Sequence, residues 1–175
     1  MARVPFIDEN DGALAALIAL LKGARRGKLL NLYRVLLNAP SLAAAWQAFN
    51  TAIRFDTALD NQARELAIMR VSQLNGADYQ FHIHATKYAA EAGITPQQIA
   101  ALAGSEHSSL FQPAHRALLA YADAMTTDIE VPDDVFDKLR RYYNDKQIVE
   151  LTVLIGAYNM HTRVGRALRI DPEDT

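Results

Sequence analysis

The chain has 175 residues, half of them hydrophobic and 22% charged, with no cysteine and a formal net charge of −2. That length holds one domain with a substantial core rather than two independent ones, so residues 1–175 are read as a single domain. The near-neutral charge supplies no general attraction for nucleic acid or an anionic membrane surface. Without cysteine the sequence offers no disulfide framework, no thiolate metal site and no thiol nucleophile.

Alanine and leucine dominate, while glycine and proline are sparse, which is a helical composition. The first apolar run, ALAALIALL at Ala13–Leu21, is too short to span a bilayer. It follows acidic Asp8, Glu9 and Asp11, where a secretory signal would carry basic residues. The expectation is a protein with no membrane or nucleic-acid partner, located in the cytoplasm. The basic cluster KGARRGK at Lys22–Lys28 reads as a solvated loop in preference to a phosphate-binding patch.

Further along, Ser41 after Pro40 is expected to cap LAAAWQAF, and Asp60 or Asn61 to cap the helix that carries Glu65. A short connection around Asn75–Gly76 can reverse the chain into a helix over Ala77–Ala92, which Gly93 ends. Thr95, Pro96 and Gln98 form a capping-box pattern that starts the next helix. Segments around Ala114–Met125, Pro132–Tyr143 and Asp145–Leu168 have the same helical period, and no run alternates as a strand. The fold class is therefore all-α, a helical bundle. RELAIMRVS at Arg64 and VELTVLIGA at Val149 both set glutamate and leucine ahead of an apolar helix. This is either a weak internal repeat or a match generated by helical periodicity alone.

On a helix over Ala77–Ala92, Ala77, Gln80, His84 and Lys87 or Tyr88 share a face, whereas Asp78 and His82 form a different pair. If the preceding helix runs antiparallel, Glu65 faces His84. A carboxylate beside an imidazole orients it and favours its protonated form, giving a general acid. The other reading of the same spacing is a satisfied polar contact in the core. HIH at positions 82–84 does not read as a metal site, because alternate positions on a helix point to nearly opposite sides. No metal or organic cofactor is expected. His107 and His115 read as solvated loop residues without a role. In YNMHTR, Asn159 and Arg163 share a helical face, and Arg163 can bind a carboxylate or join an interhelical hydrogen-bond network.

The spacing Glu65-x11-Ala77-x2-Gln80-x3-His84, followed by AAEAGIT, resembles the signature of the carboxymuconolactone decarboxylase family, including its AhpD-like alkylhydroperoxidase branch. VPFIDEN near the start and AYNMHTR near the end are similar to longer family members. The resemblance implies an AhpD-like helical bundle assembled as a homotrimer or homohexamer. It places Glu65 and His84 at the family's acidic and histidine positions, and Tyr79 at the site between the two cysteines that can join a proton relay. Both cysteine positions depart from the pattern, as Ala77 and Gln80. Disulfide-based peroxide reduction needs an attacking and a resolving thiol, and this sequence has neither.

The decarboxylase branch is similar in needing no thiol, metal or organic cofactor. The resemblance thus implies a lyase acting on a small carboxylated lactone or related enolisable acid, with His84 as acid and Glu65 orienting it. Tyr79 or Gln80 would donate to the developing oxyanion, and Lys87 or Arg163, with Asn159 nearby, would hold a substrate carboxylate. The alternative is an oligomeric binding protein of the same fold without catalysis.

Overall fold

The computed structural model describes residues 2–24 and 27–171, apart from the side chains of Ser105, Glu106 and His107. The basic cluster's Arg25 and Arg26, and the side chain of His107, therefore lie outside the described residues. All regular structure among the described residues is helical, as the sequence predicts. The chain divides into two compact units, Met1–Phe55 with Arg163–Thr175, and Asp56–Thr162.

The first unit contains α1 (Ala15–Gly23), α2 (Asn31–Leu36) and α3 (Pro40–Phe55). Ile18 and Leu21 of α1, Tyr33 and Leu37 at α2, and Ala43 of α3 form its buried cluster, with Trp46 packed against it. The Tyr33 hydroxyl donates to Gln47 Oε1 at 2.5 Å inside this cluster. The segment after Thr162 is tied back by Arg3, whose backbone N–H donates to Leu168 O at 2.9 Å. Ser41 does not cap α3. The helix begins two residues earlier than such a cap requires, at Pro40, because proline's fixed φ suits a first-turn position that needs no donor, and Ala39 O accepts from Leu42 and Ala43.

The second unit contains α4 (Asn61–Leu74), α5 (Asp78–Ile83), α6 (Pro96–Ala101), α7 (Pro113–Thr127), α8 (Asp133–Arg140) and most of α9 (Asp145–Ala167). Of the two candidate caps for α4, Asp60 acts, accepting from Ala63 N at 2.7 Å. The Thr95–Gln98 capping box is complete, with Pro96 in the first turn of α6. α4 is buried on all sides, from Ala63 to Ser72 apart from Arg64, so neighbours must cover every face of it. α7 packs along it. Arg70, 9% exposed, forks onto both Asp123 oxygens of α7 at 2.5 and 2.8 Å, a charge-assisted pair that fixes register between the two helices.

α4 ends in a two-bond reversal: Gly76, at φ +59°, lets Ala77 N reach back to Ser72 O at 2.8 Å and Gly76 N to Gln73 O at 3.1 Å. α5 therefore returns alongside α4. The single helix expected over Ala77–Ala92 is not formed. α5 is six residues long and gives way to a π turn at His84–Tyr88, closed by Ala89 N donating to His84 O at 2.9 Å. Gly93, at φ +74°, ends the segment as its sequence position predicts, with Ile94 N bonding Ala89 O at 2.9 Å.

A side chain added at Gly93 would meet nothing within 4 Å, so the cost of Gly93→Ala is the left-handed backbone alone. Urea unfolding is expected to show a loss of about 1–2 kcal/mol with an unchanged denaturant slope.

Candidate active site

His84 is brought to Glu65 by the reversal at Gly76 and the short α5. His84 Nδ1 lies 2.5 Å from Glu65 Oε2. The two groups are 5% and 2% exposed, so the contact is sealed from water. The second carboxylate oxygen, Oε1, lies 3.7 Å from Arg64 Nε. Arg64 is anchored in turn by donating to Asn61 Oδ1 at 2.9 Å in the first turn of α4. Glu65 thus has a different basic partner on each oxygen.

Two tyrosines complete the surroundings of the imidazole. Tyr88 tilts against it at a centroid distance of 5.2 Å, and Tyr158 of α9 meets it edge-on at 5.7 Å. The edge-on geometry is the favoured arrangement of such rings. Because Nδ1 is held by Glu65, Nε2 is the ring nitrogen left for a further partner. Gln80, one turn before His84, accepts from the Thr162 hydroxyl at 3.4 Å, which leaves its amide N–H groups as donors.

The other expected site residues occupy distinct settings. Tyr79 is 41% exposed on α5. Lys87 is exposed on the π turn. Asn159 is engaged between elements: it accepts from Asn75 at 2.9 Å and donates to Thr126 at 3.1 Å and to Ile155 O at 3.1 Å. Arg163 lies on the part of α9 that belongs to the first unit and is exposed. His82 is exposed while His84 is buried, in keeping with the opposite directions of alternate helical positions. Among the described residues, no group of three or more His, Asp or Glu side chains is arranged to hold a metal ion.

Sequence spacing did not single out Tyr88 as a ring partner, Tyr158, Thr162 or the ion pair of Arg64. The π turn sets Tyr88 against His84, and Tyr158 and Thr162 arrive from a helix far along the chain. For Arg64 a local signal existed, since it stands next to Glu65.

The expectation that His115 is a solvated loop residue is wrong. It is the third residue of α7 and is 6% exposed, because α7 starts at Pro113 and turns this position inward. Its Nδ1 has no hydrogen-bond partner. Burial pushes its pKa below the ordinary 6.5, and the charge of Asp60 opposes that only in part. Folded protein therefore holds this proton less well than unfolded chain. Its contribution to stability is complete above about pH 6.5 and is lost as pH falls below that value, by at most about 1.4 kcal/mol per pH unit. Urea unfolding at pH 7.5 and 5.5 should show the wild type losing more stability across this interval than His115→Phe does.

Residues 40–124 match the model of the carboxymuconolactone decarboxylase family. The chain is 29% identical over 114 residues to the uncharacterized protein YdfG of Bacillus subtilis, a span of 64% of this chain and 77% of that protein. It is also 29% identical over 113 residues to the uncharacterized protein YnjA of Escherichia coli, where the match spans 64% of this chain and only 62% of the relative. A solved structure from Agrobacterium tumefaciens, a protein of unknown function described as a putative antioxidant defence protein AhpD, is 28% identical with a TM-score of 0.72, covering 80% of this chain and 96% of that one. The debrominase Bmp8, solved as a cysteine-to-alanine variant in complex with 2,3,4-tribromopyrrole, has a TM-score of 0.80 at 22% identity, covering 99% and 92%. At that identity the likeness is one of fold.

Proposed function

We propose that this chain, whose residues 40–124 match the carboxymuconolactone decarboxylase family and which has the AhpD-like fold and no cysteine, is a cofactor-independent lyase acting on a small carboxylated lactone or related enolisable acid. The observation that carries this reading is the sealed contact between Glu65 Oε2 and His84 Nδ1 at 2.5 Å. Glu65 fixes the ring, and Nε2 delivers a proton. Loss of CO2 breaks the bond between the carboxylate carbon and the substrate, and its electron pair passes into conjugation with the lactone carbonyl. The resulting dienolate needs one proton at carbon and a donor at oxygen. His84 supplies the proton, and Gln80 or Tyr79 supplies the donor. Lys87, exposed on the π turn, remains the proposed carboxylate contact, since both N–H groups of Asn159 are engaged by Thr126 and Ile155.

A second reading, an oligomeric binding protein without turnover, is favoured by the engagement of Asn159 with Asn75 and Thr126, since those bonds also suit a purely structural side chain. Profiling purified protein against enolisable carboxylic acids, beside His84→Gln, separates the two. Saturable turnover that falls by roughly two to four orders of magnitude in a folded His84→Gln variant is expected for the lyase, the usual contribution of general acid–base catalysis. Glu65→Gln should lower turnover too. An unchanged rate in folded His84→Gln rejects His84 as the acid.

The same proposal includes a homo-oligomer in the cytoplasm. Val149, Val153 and Met160 are exposed on α9 at 62%, 40% and 37%. With Gly156 they follow a 4-3-4 spacing along one face, and a Cβ at Gly156 would meet nothing within 4 Å. A second copy of α9 crossing antiparallel at Gly156 would set Val153 against Met160 of the partner subunit and cover this apolar line. Light scattering should give a multiple of the 19.4 kDa chain mass, reduced in Val153→Glu. A monomer mass for the wild type at micromolar concentration rejects the assembly.

A further inference from the structure

Glu65 divides its oxygens between two basic groups, and the division is uneven. Oε2 makes a 2.5 Å contact with His84, whereas Oε1 stands 3.7 Å from Arg64 Nε, beyond hydrogen-bond length. That Nε is buried and makes no hydrogen bond. The guanidinium is 13% exposed and is held by its own donation to Asn61 Oδ1 at 2.9 Å. A buried, charged N–H that makes no hydrogen bond is costly to keep. Its position makes sense if the charge on the group across that carboxylate changes during a working cycle while the carboxylate keeps its own.

We propose that Arg64 is a positioning residue that holds Glu65 as a carboxylate and lowers the proton's hold on His84. This rests on the acid–base reading of the pair given above. While His84 is protonated, the charge of Glu65 is balanced by the imidazolium. Once Nε2 has given its proton away, the imidazole is neutral and the carboxylate has lost its adjacent cation. Arg64 is the positive group left beside it, with Nε 3.7 Å from Oε1 and making no hydrogen bond. It therefore favours the state after proton transfer and repels the imidazolium before it, and both effects make His84 a stronger acid. The other titratable groups around the pair are Tyr88 on the π turn, and Tyr158 of α9 with His161 packed 5.0 Å beyond it. None of these is a fixed cation, so removing Arg64 removes the permanent positive charge that pairs with Glu65 among the described residues.

The test is an NMR pH titration of the His84 imidazole in substrate-free protein, assigned with His84→Gln and repeated for Arg64→Met, Arg64→Lys and Asn61→Ala. In Arg64→Met the titration should move to higher pH by about half to one unit, in line with loss of one nearby opposite charge on the carboxylate. Arg64→Lys should restore most of the change. Asn61→Ala, which loosens the guanidinium without deleting it, should move the titration in the same direction by less, and it decides the matter if Arg64→Met does not fold. A titration that stays in place in both folded Arg64→Met and Asn61→Ala, or that moves to lower pH, overturns the proposal. The measurement uses no substrate, so a failure of the lyase reading leaves its outcome interpretable. If a substrate is found, Arg64→Met should also move the alkaline limb of the rate profile upward, whereas a merely structural role would lower the rate at every pH alike.

Discussion

A carboxylate that is 2% exposed is the constraint on which the second unit depends. Taking such a group out of water costs several kcal/mol even after relaxation, and only partners at close range offset it. Glu65 has them because α4 presents it on one side to the π turn and on the other to its own neighbour Arg64. Each partner is itself held: Arg64 by Asn61, and His84 by two tyrosine rings. Removing His84 or Arg64 would leave the buried Glu65 with less compensation, and removing Glu65 would strand the His84 Nδ1, so this small polar cluster constrains the packing of the apolar helices around it. Further along α4, Arg70 repeats the solution with a different geometry, a two-pronged contact to Asp123.

Local backbone chemistry delivers the histidine. Two glycines with positive φ bracket the segment, Gly76 and Gly93, and each sits in a six-residue backbone closure. Between them lie only α5 and the π turn, a short path whose direction is set at both ends. The wider turn from His84 to Ala89 is the irregularity that this path requires. A regular helix to Ala92 would keep Lys87 and Tyr88 as alternatives on the His84 face; in the observed backbone Tyr88 lies against the imidazole and Lys87 is exposed. Such single-turn departures from α geometry are frequent at functional positions.

Features encoded by a few neighbouring residues were legible in the sequence, and features created by packing between distant segments were not. Asp60, Gly76, Gly93 and the Thr95–Gln98 box act within one turn of chain, so their residue types carry their roles. The facing of Glu65 and His84 was also readable, because a short connection fixes where the second helix returns. By contrast, Tyr158 and Thr162 reach His84 and Gln80 from about 80 residues away. No spacing rule reports such a meeting. His115 misled for a related reason: Pro113 reads equally well as loop punctuation or as the first residue of a helix, and α7 takes the second option, which turns the ring inward. Ser41 was displaced as a cap by the same residue type acting at Pro40.

The chemistry left to this site follows from what its groups can exchange. An imidazole and a carboxylate move protons, but they do not supply the two electrons that reduction of an O–O bond requires, and the sequence has no thiol to supply them. The geometry narrows the proton chemistry further. With Nδ1 committed to Glu65, one ring nitrogen is left for exchange, so on the proposed reading the pair would deliver one proton in each cycle. Loss of CO2 followed by protonation of carbon has that stoichiometry: one bond to carbon breaks, one proton is taken up, and no electron leaves the substrate. An isomerisation through the same enolate would return the proton it removed and need the base form of the same nitrogen first. The two reactions thus call on opposite starting states of His84.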